Sequence, residues 1–308
     1  MSIARSLLLR ASRSPWLAEQ FRRRAFARRA VRRFMPGEAQ DDALAASADF
    51  ATRGIGTILT QLGERITSAD EADRVRDHYL ALLDTIARRG LPTQPSVKLT
   101  HLGMEIDRDA CVERVRALAR RAAETGNFVW VDIEESNYVD ATLDVFRRVR
   151  AEHDTVGLCL QAYLRRTPAD LASLLPLRPA IRLVKGAYRE PPEIAFEKLA
   201  ETNAAYMALA DTLLDAAREG GGRPVFGTHD LHIVERIRDH ADARGLSGDA
   251  WELHMLYGIK AADQRRLAEA GVRLRVLISY GSHWFPWYMR RLAERPANLW
   301  FVVKNLFG

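Results

Sequence analysis

Short apolar runs alternate with longer amphipathic stretches along most of the chain. Runs of four to eight residues with little internal alternation are the pattern of strands buried on both faces. Eight occur: Gly56–Leu62, Ser96–Thr100, Phe128–Ile133, Val156–Tyr163, Ile181–Lys185, Pro224–Thr228, Glu252–Leu256 and Arg273–Ser279. Between them the apolar spacing predicts helices, among them Asp70–Arg89, Asp109–Thr125, Tyr138–His153, Ala195–Arg218, Leu231–Arg244 and Lys260–Ala270. Gly90, Gly126, Gly220-Gly221-Gly222 and Gly271 supply stops. The acidic run from Glu38 through Asp49 is helical in character and precedes the first strand. Eight strand-then-helix units predict an α/β fold, a closed parallel (β/α)8 barrel of the TIM type. A doubly wound open sheet is the competing arrangement, but no G-x-G-x-x-G follows the first strand.

Charge divides the chain. Its net charge of +6 hides a basic arm: residues 1–33 hold ten arginines and one acid, Glu19, a charge of +9 that leaves −3 on the remaining 275 residues. Met35-Pro36-Gly37-Glu38 ends the basic pattern, giving an N-terminal helical arm over residues 1–37 and a barrel over residues 38–308. Trp16, Phe21, Phe26 and Phe34 interleave with the arginines, as in a helix lying on a surface, and the charge points to an anionic partner, lipid or nucleic acid. An Arg-rich, acid-poor N-terminus also fits an organelle transit peptide. No apolar stretch reaches the roughly 18 residues of a membrane span, and Leu7-Leu8-Leu9 is too short for a signal-peptide core. Cys111 and Cys159 make neither a disulfide framework nor a metal site, and a reducing compartment fits.

In such a barrel the active site is built at the C-terminal strand ends. Those ends carry Lys98 and His101, then Asp132 with Glu134 and Glu135, then Gln161 and Tyr163. Arg182 and Lys185 follow before Gly186-Ala187-Tyr188, then Thr228-His229-Asp230, His254 through Tyr257, and Tyr280-Gly281. Lys98 and Asp132 lie in apolar strands, where a charge is costly unless paired; each is half of a structural ion pair or part of a site. Arg182 and Lys185 face opposite ways on a regular strand, unless Lys185 belongs to the next loop, where Gly186-Ala187 lets backbone approach a phosphate. Thr228-His229-Asp230 reads as a helix cap and nothing more, or His229 as a metal ligand with His232 three residues on. His229 and His232 lack a Cys or carboxylate at metal spacing, so no metal is expected. Near the end, Pro286 suits a first helical turn. Arg290, Arg291 and Glu294 follow, either a solvated pair or a carboxylate clamp. Trp284, Phe285, Trp287 and Tyr288 favour a half-buried place for them.

SVKLTHLG, VWVDIEES, GLCLQAYLRRT, IRLVKGAY, FGTHD, LHMLYG and YG…WYMRRLAERPAN follow one another on successive strands. In these motifs, from about Gly54 onward, the sequence resembles the proline dehydrogenases in their short, monofunctional bacterial form. The resemblance implies a distorted (β/α)8 barrel with noncovalent FAD that oxidises L-proline to 1-pyrroline-5-carboxylate by hydride transfer to flavin N5. It implies that Lys98, Arg290 and Arg291 bind the substrate carboxylate, that Glu294 pairs with this cluster, and that Leu256 walls the pocket. Asp132 belongs to the same buried network and, with Arg182, is implied to be catalytic. Gln161 and Arg182 are implied to contact the flavin ring, and Ile133, Lys185, Gly186, Ala187, Thr228 and His229 other parts of FAD. Electrons would pass to a membrane quinone, in the first step of proline catabolism to glutamate. The enzyme would be cytoplasmic, held at the inner face of the cell membrane by residues 1–33, with no nucleic-acid partner.

One residue departs from the pattern. The family often carries a tyrosine on strand eight, four residues before the glycine of the YG turn, and here Leu277 stands there. Oxidation of hydroxyproline or another cyclic amino acid is therefore the alternative. More distant readings are a Schiff-base lyase using Lys185 or Lys98 and a nucleic-acid-binding protein using the arm.

Overall fold

The computed structural model describes residues 31–63, 66–285 and 288–289. Among them, eight parallel strands close into a barrel in sequence order. They are β1 (Gly56–Gln61), β2 (Thr93–Lys98), β3 (Val129–Asp132), β4 (Val156–Gln161), β5 (Ala180–Val184), β6 (Arg223–Gly227), β7 (Glu252–Leu256) and β8 (Leu274–Tyr280). Helix α1 (Gln40–Ala51) precedes β1, and one helix follows each of the first seven strands. These are α2 (Ala69–Arg89), α3 (Arg108–Glu124), α4 (Val139–Arg150), α5 (Thr167–Leu174), α6 (Leu199–Arg218), α7 (Leu231–Asp242) and α8 (Ala261–Glu269). β8 pairs with β1 from Gly56 opposite Arg275 to Gln61 opposite Tyr280, so no sheet edge is left open.

The helix ends follow local rules. Ser68 caps α2 by accepting from the Glu71 N–H at 3.2 Å, Asp70 and Glu71 fill its first turn, and Gly90 ends it in the left-handed region at φ 61°. Asp107 caps α3 through the Ala110 N–H at 3.0 Å.

All eight expected strands are present, but β2 begins earlier than its apolar run. It covers Thr93–Lys98, and Thr100–Leu102 turns as a 3-10 helix instead of extending the strand. Pro95 conceals the true start, because a residue without an N–H argues against a central strand; here it sits opposite Leu59 of β1. α5, with a proline in its first turn, carries no strong apolar signal. α6 begins at Leu199, because Ala195 instead bridges to Leu164.

Alternate strand residues face two different cores. Leu59, Val97, Val131, Leu158, Leu183, Phe226, Met255 and Val276 belong to the large apolar cluster beneath the helices. The barrel interior holds only a small apolar cluster, Ile58, Trp130, Ala180 and Val225 with Phe128 and Leu277 against it. Its remaining inward positions are largely polar. Residues 31–37, the end of the basic arm, also pack on the barrel. Val31 and Met35 are buried, and Gly258, at φ 73°, leaves room that any side chain would take from the Arg33 carbonyl. Glu38 accepts from the Gly281 N–H and, through Oε1, from Trp284 Nε1, both at 2.9 Å.

Candidate active site

Toward the C-terminal end of the barrel, β2, β3 and β5 bring Lys98, Asp132 and Arg182 together. Register places Lys98 beside Asp132 and Ser96 beside Trp130. The Asp132 carboxylate pairs with Arg182 through Oδ1, and its Oδ2 lies 3.5 Å from Lys98 Nζ. Ser96 completes the cluster: its hydroxyl donates to Asp132 Oδ1 at 2.9 Å and accepts from Arg182 Nη2 at 3.0 Å. Burial alone would push the Asp132 carboxyl up, but Lys98 and Arg182 outweigh it and hold the group below the usual carboxylate range. Burial likewise opposes the charge of Arg182, and Asp132 outweighs it, so the guanidinium stays above its ordinary value. The buried Cys159 thiol lies beside it and is pushed up by burial.

The other strand ends complete the mouth. Gln161 ends β4 and donates to the Glu134 carbonyl at 2.8 Å. Glu134 itself grips the β2 loop, accepting from the Thr100 N–H at 3.1 Å and the Thr100 hydroxyl at 2.7 Å. Ile133 is buried just past β3. Lys185 belongs to the loop after β5 and pairs with Asp230 at 2.9 Å. Burial raises Asp230, but its bond to Lys185 wins and the carboxyl lies below its ordinary value. Gly186, at φ 120°, lies so close to the Tyr163 ring that a Cβ would overlap it, and Ala187 follows in the same loop. The Thr228 hydroxyl accepts from the Asp230 N–H at 3.1 Å. The His229 ring accepts the Leu256 N–H on Nε2 at 2.8 Å, which fixes its proton on Nδ1. His229 thus ties β6 to the half-buried Leu256. Arg290, Arg291 and Glu294 lie outside the described residues, as do residues 1–30 of the arm.

Several buried polar atoms at this end are left open, two of them on Gln161 and Arg182. Gln161 Oε1 has no hydrogen-bond partner and Arg182 Nη1 meets no oxygen acceptor among the described residues. A buried donor and a buried acceptor facing one mouth are costly unless a ligand completes them. Together with the close backbone approach at Gly186, they fit a planar polar ring with a phosphate tail. Ser96 is the member that the sequence conceals, since a serine in an apolar strand carries no signal of its own. A second polar cluster was equally hidden. Near the N-terminal end of the barrel, Glu252 is buried and its carboxylate meets Arg223, Arg273, Arg275 and His254.

The chain is similar to known proteins over most of its length. The profile of the family described as Proline dehydrogenase matches residues 43–304. Proline dehydrogenase of Deinococcus radiodurans is 36% identical over 279 residues, 89% of each chain. Proline dehydrogenase 1 of Bacillus subtilis (strain 168) is 32% identical over 276 residues, 90% of each. Among solved structures, proline utilization A from Bdellovibrio bacteriovorus, inactivated by N-propargylglycine, superposes with a TM-score of 0.81 at 25% identity. The match covers 86% of this chain and 32% of that longer one.

Proposed function

The chain belongs to the proline dehydrogenase family, an oxidoreductase acting on proline, and from that premise we propose that it converts L-proline to 1-pyrroline-5-carboxylate with FAD as hydride acceptor. The observation that supports the cofactor is the pair of open buried atoms, Gln161 Oε1 and Arg182 Nη1, at the C-terminal mouth. Gln161 and Arg182 would hold the flavin ring; Ile133, Lys185, Gly186, Ala187, Thr228 and His229 would hold the rest. When bound, the flavin supplies the two-electron acceptor, at N5.

The chain's own residues bind and orient. Lys98, with Arg290 and Arg291 steadied by Glu294, would grip the substrate carboxylate, and Leu256 would wall the ring, fixing the reacting carbon in place. The ring reacts as the neutral amine. Hydride leaves the carbon next to nitrogen, the nitrogen lone pair forms the C=N bond, and loss of the N–H proton gives the neutral imine. Asp132 and Ser96 hold Arg182 in position, and its fixed charge favours the electron-rich product state of the acceptor.

The decisive experiment is spectral. The purified protein should be yellow, release its flavin on denaturation, and bleach anaerobically with proline. A colourless protein that FAD cannot reconstitute would end this reading. N-propargylglycine, which inactivated the Bdellovibrio protein, should inactivate this one progressively. Hydroxyproline is the second substrate reading, favoured by Leu277, which faces inward opposite Leu256 and Ile58. The ratio of kcat/KM for the two substrates decides it.

The electron acceptor would be a membrane quinone, with the enzyme on the cytoplasmic face of the membrane and the arm on anionic lipid. Among the described residues, no helix is long and apolar enough to cross a membrane. Because Val31 and Met35 are packed on the barrel, the informative deletion is residues 1–30. It should lose binding to anionic vesicles and keep activity with a soluble dye; vesicle binding equal to that of the full chain would refute the membrane role.

A further inference from the structure

Below Arg182 the barrel interior is filled by a stack of aromatic and charged groups that substrate binding does not require. Trp130, fully buried, lies directly under the guanidinium, whose carbon sits 5.1 Å from the indole centroid. A second guanidinium, Arg223, faces the same indole at 5.5 Å and Phe128 at 5.2 Å. His254 meets Trp130 edge-on, 5.5 Å between centroids at 84°. The indole N–H donates to Gln94 Oε1 at 2.9 Å. The ring is therefore held at its edge, across its face and at its nitrogen.

What holds these supports is Glu252. Its Oε1 lies 2.8 Å from His254 Nε2 and 2.6 Å from Arg275, and its Oε2 2.6 Å from Arg223 and 3.3 Å from Arg273. Arg223 and His254 hydrogen-bond the carboxylate, and Arg275 and Arg273 add ion pairs. One anion thus orders both the histidine at the edge of Trp130 and an arginine on its face. An apolar filling of similar volume would carry no such desolvation cost, and apolar layers are the usual interior of this fold.

We propose that Trp130 is the positioning residue for Arg182, and that His254 and Glu252 lock its ring. The indole sets how high the guanidinium stands in the mouth, so that Nη2 meets Asp132 and Ser96 while Nη1 is left for the cofactor. The stack also keeps that cation over an electron-rich face instead of letting it turn into the barrel. The inference rests on the reading that Arg182 faces a flavin.

Trp130→Leu removes the face, Trp130→Phe keeps an aromatic face but not the N–H, and His254→Asn keeps a donor for Glu252 but not the ring edge. Arg182→Met serves as the control. Each variant is read by flavin content, by the flavin midpoint potential measured spectroelectrochemically, and by kcat and KM for proline. In Trp130→Leu, kcat should fall about tenfold while KM changes less than about twofold, a loss confined to the reacting geometry. The potential should move to more negative values at near-normal flavin content. Trp130→Phe should recover most of both, and His254→Asn should show the same pattern at about two- to fivefold. If Trp130→Leu does not fold, the other two variants carry the test. Folded variants with wild-type kcat and potential would overturn the inference. An Arg182→Met protein with unchanged potential would overturn the placement of Arg182 at the flavin, and the inference with it.

Discussion

Replacing Asp132 by alanine should damage stability and catalysis together. The side chain pairs with both Lys98 and Arg182. Removing one partner of a buried ion pair costs about 3–5 kcal/mol, because the other charge stays behind unpaired. Here the two cations differ. The Lys98 side chain is 16% exposed and can turn to water, whereas Arg182 is 3% exposed and cannot. Ser96 still accepts from Arg182, which places the loss near the lower end, about 3 kcal/mol. Denaturant midpoints at neutral pH measure it. In dye-coupled kinetics kcat/KM should fall about ten- to a hundredfold, the worth of a hydrogen bond to a charged group. Asp132→Asn keeps an acceptor without the charge and should fall between alanine and wild type. The pH dependence follows from the depressed carboxyl. A carboxylate whose folded value lies below its unfolded one adds stability above the unfolded value and loses it as pH falls through the folded one. The gap between wild type and Asp132→Asn should therefore be full near neutrality and close below about pH 4. An alanine variant as stable and as active as wild type would refute the reasoning.

Three further outcomes are expected. Burial, outweighing Glu252, depresses His254 to about 4 from 6.5, so the unfolded chain binds its proton first and stability falls as pH drops below the unfolded value. Between pH 6.5 and 5 this amounts to about 2 kcal/mol, and His254→Gln should flatten the slope of unfolding free energy against pH by about one proton; an unchanged slope would place the acid sensitivity elsewhere. Gly186→Ala forces a Cβ into the Tyr163 ring at a left-handed φ, so it should cost about 1–3 kcal/mol and lower the flavin-to-protein ratio, and a normal ratio would remove the loop from the cofactor site. Arg291→Met should raise KM for proline about ten- to a hundredfold at normal flavin content, and unchanged kinetics would remove the carboxylate clamp.

The barrel was legible because parallel strands buried on both faces leave apolar runs that no helix spacing mimics. Lys98, Asp132 and Arg182 were legible for the opposite reason, being charges inside such runs. Ser96 was not, since serine is neutral in that pattern and Pro95 beside it argued against a strand. The Glu252 cluster was hidden by distance along the chain. Arg223, Glu252, Arg273 and Arg275 each stand near the start of a strand, where a charge reads as a solvated end. Only closure of β6, β7 and β8 brings the three arginines onto one carboxylate. The packing of Val31 and Met35 was masked by the arginines around them, which gave the whole arm a surface character.

The interior charges form two groups separated by the Trp130 ring. Above it, Lys98 and Arg182 share Asp132, and Glu134 adds a second buried carboxylate to the mouth. Below the ring, Arg223, Arg273 and Arg275 share Glu252, and burial, with the charges of Arg223 and Arg273, outweighs Glu252 and holds Arg275 below its ordinary value. The guanidiniums of Arg182 and Arg223, stacked in one barrel, would repel each other through a low-dielectric interior. An indole between them presents an electron-rich face to each guanidinium, which an aliphatic side chain of similar volume cannot do. The lower group can bear its excess because Arg273 reaches solvent, at 49% exposed. Substitution at Asp132 and substitution at Glu252 should therefore differ in kind: the first removes a direct partner of Lys98 and Arg182, the second acts only through the ring between them.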